Sequence, residues 1–138
     1  MINTIAVGYD GSPGAQDAAQ WSFELARELG CRVVLVHAVG LLGRTEEGRL
    51  LDDLQEAAIV LASAVGLDPG QARWHVSQGD PCSALLRAID PPLSVDLVVV
   101  GSRGHRGAVG LPLGSTSHEL AEHSSVPVVV VPVHPLPT

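Results

Sequence analysis

The chain reads as an α/β protein in which five parallel strands form a doubly wound sheet, covered by helices on both faces in three layers. Three observations predict this. The runs Val33–Val36, Leu97–Val100 and Val128–Val131 lack polar alternation, as strands buried on both faces do. Segments with apolar residues at helical spacing separate the strands. After the fourth strand comes a glycine-rich loop, from Gly101 to Gly114, which leads into three hydroxyl residues, Ser115, Thr116 and Ser117. In such sheets ligands bind beyond the carboxyl ends of the strands, where the winding direction reverses.

Each element has its own justification. Ile2 to Tyr9 forms the first strand and ends at Asp10-Gly11-Ser12-Pro13. Ser12 has the side chain of an N-cap, and Pro13 suits the first helical position, where a missing N–H costs nothing. Ala15, Ala18, Ala19, Ser22, Leu25, Ala26 and Leu29 then recur as a helical stripe that Gly30 closes. Arg32 to Val39 is the second strand, and Gly40 to Gly48 reads as a polar turn. Leu50, Leu51, Leu54, Ala57, Ala58, Leu61, Ala62 and Val65 define a second helix, stopped by Gly66 and Pro69. Ala72 to Gln78 is a weaker third strand with Trp74 and Val76 on one face. Asp80-Pro81 opens a third helix, Cys82 to Ile89, which Pro91-Pro92 must end. Val95 to Val100, His118 to Ser124 and Val126 to Val133 are the fourth strand, fourth helix and fifth strand. Pro127 and Pro132 mark an edge or a strand end. No linker or repeat interrupts residues 1–138, so a single domain is expected, with a poorly ordered tail from His134 onward.

Composition excludes several function classes. A net charge of −7 argues against nucleic acid or a membrane surface as a partner. Apolar runs are of strand length and no charged-then-apolar leader opens the chain, so no span or signal segment is expected. Cys31 and Cys82 lack metal spacing and read as buried small hydrophobes of a cytoplasmic protein. All eight basic residues are arginines. Without lysine there is no Walker-loop, protein-kinase or Schiff-base chemistry. No nucleophile elbow occurs. His118 and His123 fall on different helix faces, while His37 and His75 lie in separate strands, so no metal site is expected. His37 reads as a core histidine with its ring satisfied.

The glycine loop carries the chemistry. Spaced glycines let backbone N–H groups close on a phosphate, and a helix N-terminus adds partial positive charge. Ser102 and Gly107 belong to this loop, and Arg103 and Arg106 are either ordinary loop charges or, as the only basic residues near the phosphates, their ligands or screening charges. Thr116 and Glu119 have capping-box spacing, so Thr116 is contested between the helix and a phosphate.

These motifs resemble the universal stress protein family along essentially the whole chain. The resemblance rests on Val7-Gly-Tyr-Asp10-Gly-Ser12, Leu35-Val-His37, Val98-Val-Val-Gly101-Ser-Arg-Gly104, Leu113-Gly114-Ser115-Thr-Ser117 and the run into Val131. It implies the adenine nucleotide alpha hydrolase-like strand order 3-2-1-4-5. The ATP-binding members are marked by G-x2-G-x9-G-[S/T], a spacing that Gly101, Gly104, Gly114 and Ser115 satisfy. On that resemblance Asp10 faces the ribose hydroxyls or a Mg²⁺ on the phosphates, Gly8 leaves room for the nucleoside, and Ala38 offers its backbone to adenine. Gly101 and Gly104 line the ribose and phosphate path, and Gly114, Ser115, Thr116 and Ser117 hold the phosphates. Pairing through Val128–Val131 gives a homodimer. Ala38 departs from the larger aliphatic residue usual there. The expected function is an ATP-binding regulator or sensor in stress response rather than an enzyme. The alternatives are a slow ATPase or autophosphorylating enzyme, for which no base is evident, and a dimeric adaptor without nucleotide, against which the glycine spacing weighs.

Overall fold

Valine runs with no polar face must be covered twice, and the computed structural model shows them covered. It describes residues 1–39, 44–102 and 115–132, with the backbone alone for 44–50. The order is β1 (Thr4–Gly8), α1 (Pro13–Leu29), β2 (Arg32–Val39), α2 (Arg44–Val65), a 3-10 turn (Pro69–Gln71), β3 (Ala72–Gln78), α3 (Pro81–Ile89), β4 (Leu97–Gly101), α4 (Ser115–His123) and β5 (Val128–Val131). The five strands lie in the order β3-β2-β1-β4-β5, each pair parallel. Gly8 registers with Val36, Val7 with Val99, and Val99 with Val129.

The sheet has a core on each side. Ile5, Val7, Val33, Leu35, Leu97 and Val99 pack beneath α1 and α2 against Phe23, Ala58 and Ala62. The alternate residues Ala6, Val34, Val36, Val98 and Val100 pack against Leu85 and Ala88 of α3 and Leu120 of α4. Two helices thus cover each face, the doubly wound arrangement that the sequence predicts. Its termini behave as read: Ser12 Oγ accepts from Ala15 N at 3.2 Å, and Gly30 caps α1 in the left-handed region at φ 69°. A cap of the Ser12 type contributes about 1 kcal/mol. At the start of α3, Asp80 accepts from Ser83 N at 3.0 Å.

Some boundaries differ. Residues 44–48, read as turn, are the first turn of α2. Thr45-Glu46-Glu47 accounts for this, since glutamate is a good helix former and acidic charge complements a helix N-terminus. α4 begins at Ser115 rather than His118. β1 starts two residues late, at Thr4, and β5 is confined to Val128–Val131, with its prolines flanking it because neither can donate to a ladder. The tail from His134 lies outside the described residues. No helix of the described residues is long and apolar enough to cross a membrane. Trp74 packs into the sheet, with ring centroids 5.9 Å from both Tyr9 and His37. Trp21 is 36% exposed on α1.

Candidate functional site

From β1 the chain turns to α1 on one face of the sheet; from β4 it heads for the other face, where α4 lies. These adjacent strands therefore part at their carboxyl ends and leave a crevice between the diverging connections. Gly8, Asp10, Ala38, Leu85, Gly101 and Thr116 are among the residues lining it, drawn from three strands, the β1–α1 turn and two helices. As bounded by the described residues, the cavity is small, about 110 Å³.

The two strand-end glycines do different things. A β-carbon on Gly8 would stand 3.1 Å from Leu85 Cδ1 and 3.5 Å from Val100 Cγ1, on the α3 side, where it would fill the crevice floor. One on Gly101 would stand 2.7 Å from the carbonyl oxygen of Gly14, in the first turn of α1. Gly101 thus lets α1 seat against β4 while its backbone borders the crevice. That packing duty was not evident from the loop motif.

Asp10 sits half-buried at the rim, and its Oδ1 accepts from Ser12 N at 2.9 Å, folding the β1–α1 turn back on itself. Gly11 completes the turn at φ 80°. Behind it the His37 ring bonds the Tyr9 carbonyl oxygen, Nδ1 to O 2.8 Å, which requires the proton on Nδ1. His37 is the satisfied histidine that the sequence suggests, and it also fixes the peptide leading to Asp10. Burial pushes the Tyr9 phenol above its usual pKa, and the Asp10 charge adds to this.

The remaining predicted residues divide. Ala38 and Thr116 line the crevice. Ser102 donates its N–H to Val131 O at 2.9 Å, so that amide is committed to the sheet. Ser115 is exposed at the start of α4, whereas Ser117 is 2% exposed and does not line the crevice. Thr116 is the second helical residue, so the capping box proposed for Thr116 and Glu119 gives way to a helix that starts two residues earlier than that box requires. Arg103, Gly104, Arg106, Gly107 and Gly114 lie outside the described residues.

Sequence reading missed Ser12, Val36, Pro81, Leu85 and Val100 as lining residues. Ser12 could have been found from its place at the strand end. Pro81 and Leu85 could not, because only the packing of α3 over the sheet brings them there. The same packing gathers Asp80, Cys82 and Glu119, whose ligand atoms lie within 4.8 Å of one another at the α3–α4 seam. Cys82 is buried, and its thiol is pushed up by burial and by a hydrogen bond to Glu119. The Asp80 carboxyl is held low by its hydrogen bonds from Ser83 N and Oγ.

With this geometry in view, likeness to known proteins can be placed. Residues 1–132 match the model of the Universal stress protein family. A Thermus aquaticus universal stress protein is 37% identical over 139 residues, covering 95% of this chain and 99% of that one. One from Mycobacterium tuberculosis is 31% identical over 134 residues, covering 91% of this chain and 44% of that one. The chain thus spans less than half the length of this mycobacterial relative. Among solved structures, a universal stress protein in complex with cAMP superposes with a TM-score of 0.80 at 23% identity, covering 96% of this chain and 99% of that one. The universal stress protein from Archaeoglobus fulgidus in complex with dAMP superposes with a TM-score of 0.75 at 22% identity, covering 95% and 99%. These superpositions establish a common fold.

Proposed function

Because the chain belongs to the universal stress protein family, we propose that its crevice binds an adenine nucleotide, with ATP and Mg²⁺ as the physiological pair, and that binding makes the protein a regulator in stress response. The observation carrying this reading is the floor of the crevice. Where β1 and β4 part, Gly8 puts no side chain into the crevice beside Leu85, and both the carboxylate of Asp10 and Thr116 in the first turn of α4 line it. The cAMP and dAMP complexes of structures with this fold support an adenine nucleotide as the occupant.

The residues fit such a ligand chemically. Gly8 and Ala38 offer a flat surface to the nucleoside, and Asp10 accepts from ribose hydroxyls or holds the cation. The phosphates lie toward the start of α4, where Ser115 and Thr116 bring amides and hydroxyls, while Ser117 is buried behind them. Gly101, Ser102, Gly104, Gly107 and Gly114 form the loop around them, with Arg103 and Arg106 as its positive charge. The protein acts by changing the shape of the crevice rim on binding, in the cytoplasm, as one unit over residues 1–138. It pairs with a second copy through the apolar edge Val128–Val131.

Titration calorimetry with ATP, ADP, AMP and cAMP, with and without Mg²⁺, tests this reading. Asp10→Ala should weaken nucleotide binding on the order of tenfold or more, as loss of a hydrogen-bonded charged group does. If no adenine nucleotide binds saturably, the reading fails. If phosphate is released at a rate that Asp10→Ala abolishes, the protein is an enzyme rather than a sensor.

A further inference from the structure

The two edges of the sheet are unlike. β5 is four valines long, whereas β3 runs for seven residues, pairs with β2 along its inner side and, among the described residues, borders no strand on the other. Among the described residues no backbone group bonds Arg73–Ser77 from outside. Alternate peptide groups of β3 therefore face outward unpaired, a ready template for one more strand.

The two faces of this edge differ in chemistry. On the α2 side lies a largely apolar groove formed by Ala58, Ile59, Ala62 and Trp74, which Gln55 and Arg73 also border, with Ile59 57% exposed and Val76 of β3 40% exposed beside it. On the α3 side lies a groove lined by His75, Ser77 and Arg87, which Arg73 also borders. Arg87 Nη2 donates to Ser77 Oγ at 2.7 Å and to the Gln78 carbonyl, so its charge is fixed against the strand. Arg73 is exposed and, among the described residues, makes no ion pair or hydrogen bond. Asp90 is the carboxylate lining this groove. In a chain of net charge −7, two arginines against the one carboxylate of Asp90 leave a local excess of positive charge beside this strand edge.

We propose that the free edge of β3 is a docking site for an extended segment of another protein in which acidic and apolar residues alternate. Added as a sixth strand, such a segment would send its carboxylates toward Arg73, His75 and Arg87 and its apolar side chains into the groove beside Trp74, because successive side chains of a strand face opposite ways. A second copy of this chain fits worse. Antiparallel pairing about His75 would set Arg73 opposite Ser77 of the second copy and so beside that copy's Arg87, placing like charges together. The valine edge of β5 carries no such conflict.

The probe is a fluorescein-labelled ten-residue peptide of alternating valine and glutamate, with a valine–lysine peptide as control, titrated into the whole chain and followed by anisotropy. The valine–glutamate peptide should bind saturably, and amides between Arg73 and Ser77 should gain hydrogen-exchange protection. Arg73→Glu, at an exposed position, should leave the circular dichroism unchanged and weaken binding by about tenfold or more through like-charge repulsion. No binding of the acidic peptide, equal binding of the basic one, an unaffected Arg73→Glu variant, or protection at β5 instead would each overturn the proposal. So would self-association of the chain that Arg73→Glu abolishes, since it would assign the edge to a second copy.

Discussion

Two glycine-to-alanine changes, at the ends of the adjacent strands β1 and β4, should separate packing from binding. In Gly101→Ala the new methyl meets Gly14 O at 2.7 Å, Gly14 C at 2.8 Å and Gly14 Cα at 3.1 Å. All three are backbone atoms of α1, so relief requires the first turn of that helix to lift from β4. Overpacking of this sort costs about 1–3 kcal/mol. At about 4 °C per kcal/mol for a chain of this length, Tm should drop by roughly 4–12 °C. In Gly8→Ala the closest atom is Leu85 Cδ1 at 3.1 Å, the far end of a side chain that can turn aside. Alanine also restricts the unfolded chain, which offsets part of the contact, so stability should change by less than about 1 kcal/mol. The methyl would nonetheless stand in the crevice floor and weaken nucleotide binding about tenfold or more. Paired urea unfolding and nucleotide titration read both effects. A Gly101→Ala variant as stable as the parent would refute the packing argument, and a Gly8→Ala variant with full affinity would show that the nucleoside does not lie over β1.

Three further outcomes follow from the caps and titrating groups. Ser12→Ala removes the acceptor for Ala15 N at a side chain 1% exposed and should cost about 1 kcal/mol in urea unfolding; a neutral result would show that the α1 cap is not stabilising. Asp96 Oδ2 accepts from Asn3 N at 2.9 Å and Thr4 N at 3.0 Å, and these amides hold its carboxyl below the ordinary value. A depressed folded pKa gives stability that is present above the unfolded pKa of about 3.9 and lost as pH falls through the lower folded value. Asp96→Ala should therefore be less stable near neutrality and show a shallower acid limb below about pH 4, whereas an unchanged acid limb would remove Asp96 from the account. Burial pushes the thiols of Cys31 and Cys82 up, so neither should react with Ellman's reagent at neutral pH before the chain is unfolded by denaturant; rapid reaction of either in the native protein would contradict its burial.

What the sequence disclosed depended on how local the cause was. Strands such as Val33–Val36 and the caps Ser12, Gly30 and Asp80 follow from residues within a few positions, and each lies where its chemistry puts it. The start of α2 was misread because Gly40, Gly43 and Gly48 suggested a turn, while the acidic residues between them favour a helix from Arg44. Asp10, Gly8 and Gly101 were legible as strand-end residues. That Gly101 serves helix packing and Gly8 the crevice floor depends on which face of the sheet each residue points to, and a one-residue offset reverses that. Pro81 and Leu85 were beyond sequence reading, since nothing near them in the chain shows that α3 comes to lie across β1 and β2.

The position of the crevice follows from side-chain size along one face of the sheet. On the α3 side, Ala6 of β1, Val34 and Val36 of β2, and Val98 and Val100 of β4 are buried and press against α3 and α4. Level with Val36 of β2, that face carries only Gly8 on β1; one step further along β2 it carries Ala38, and on β4 Gly101 points the other way. Leu85 Cδ1 and Val100 Cγ1 border the place that a side chain on Gly8 would take, 3.1 Å and 3.5 Å from its β-carbon. A gap at this point costs contacts that a larger residue would supply, yet it opens beside a carboxylate at Asp10 and the first turn of α4. Removing bulk from adjacent strand ends, with polar groups kept at the rim, makes sense as provision for a ligand with a flat apolar part and an anionic part, and it predicts that filling Gly8 and Ala38 together, as Gly8→Ala with Ala38→Leu, abolishes binding while the sheet still folds. A double variant that retained nucleotide affinity would place the ligand elsewhere.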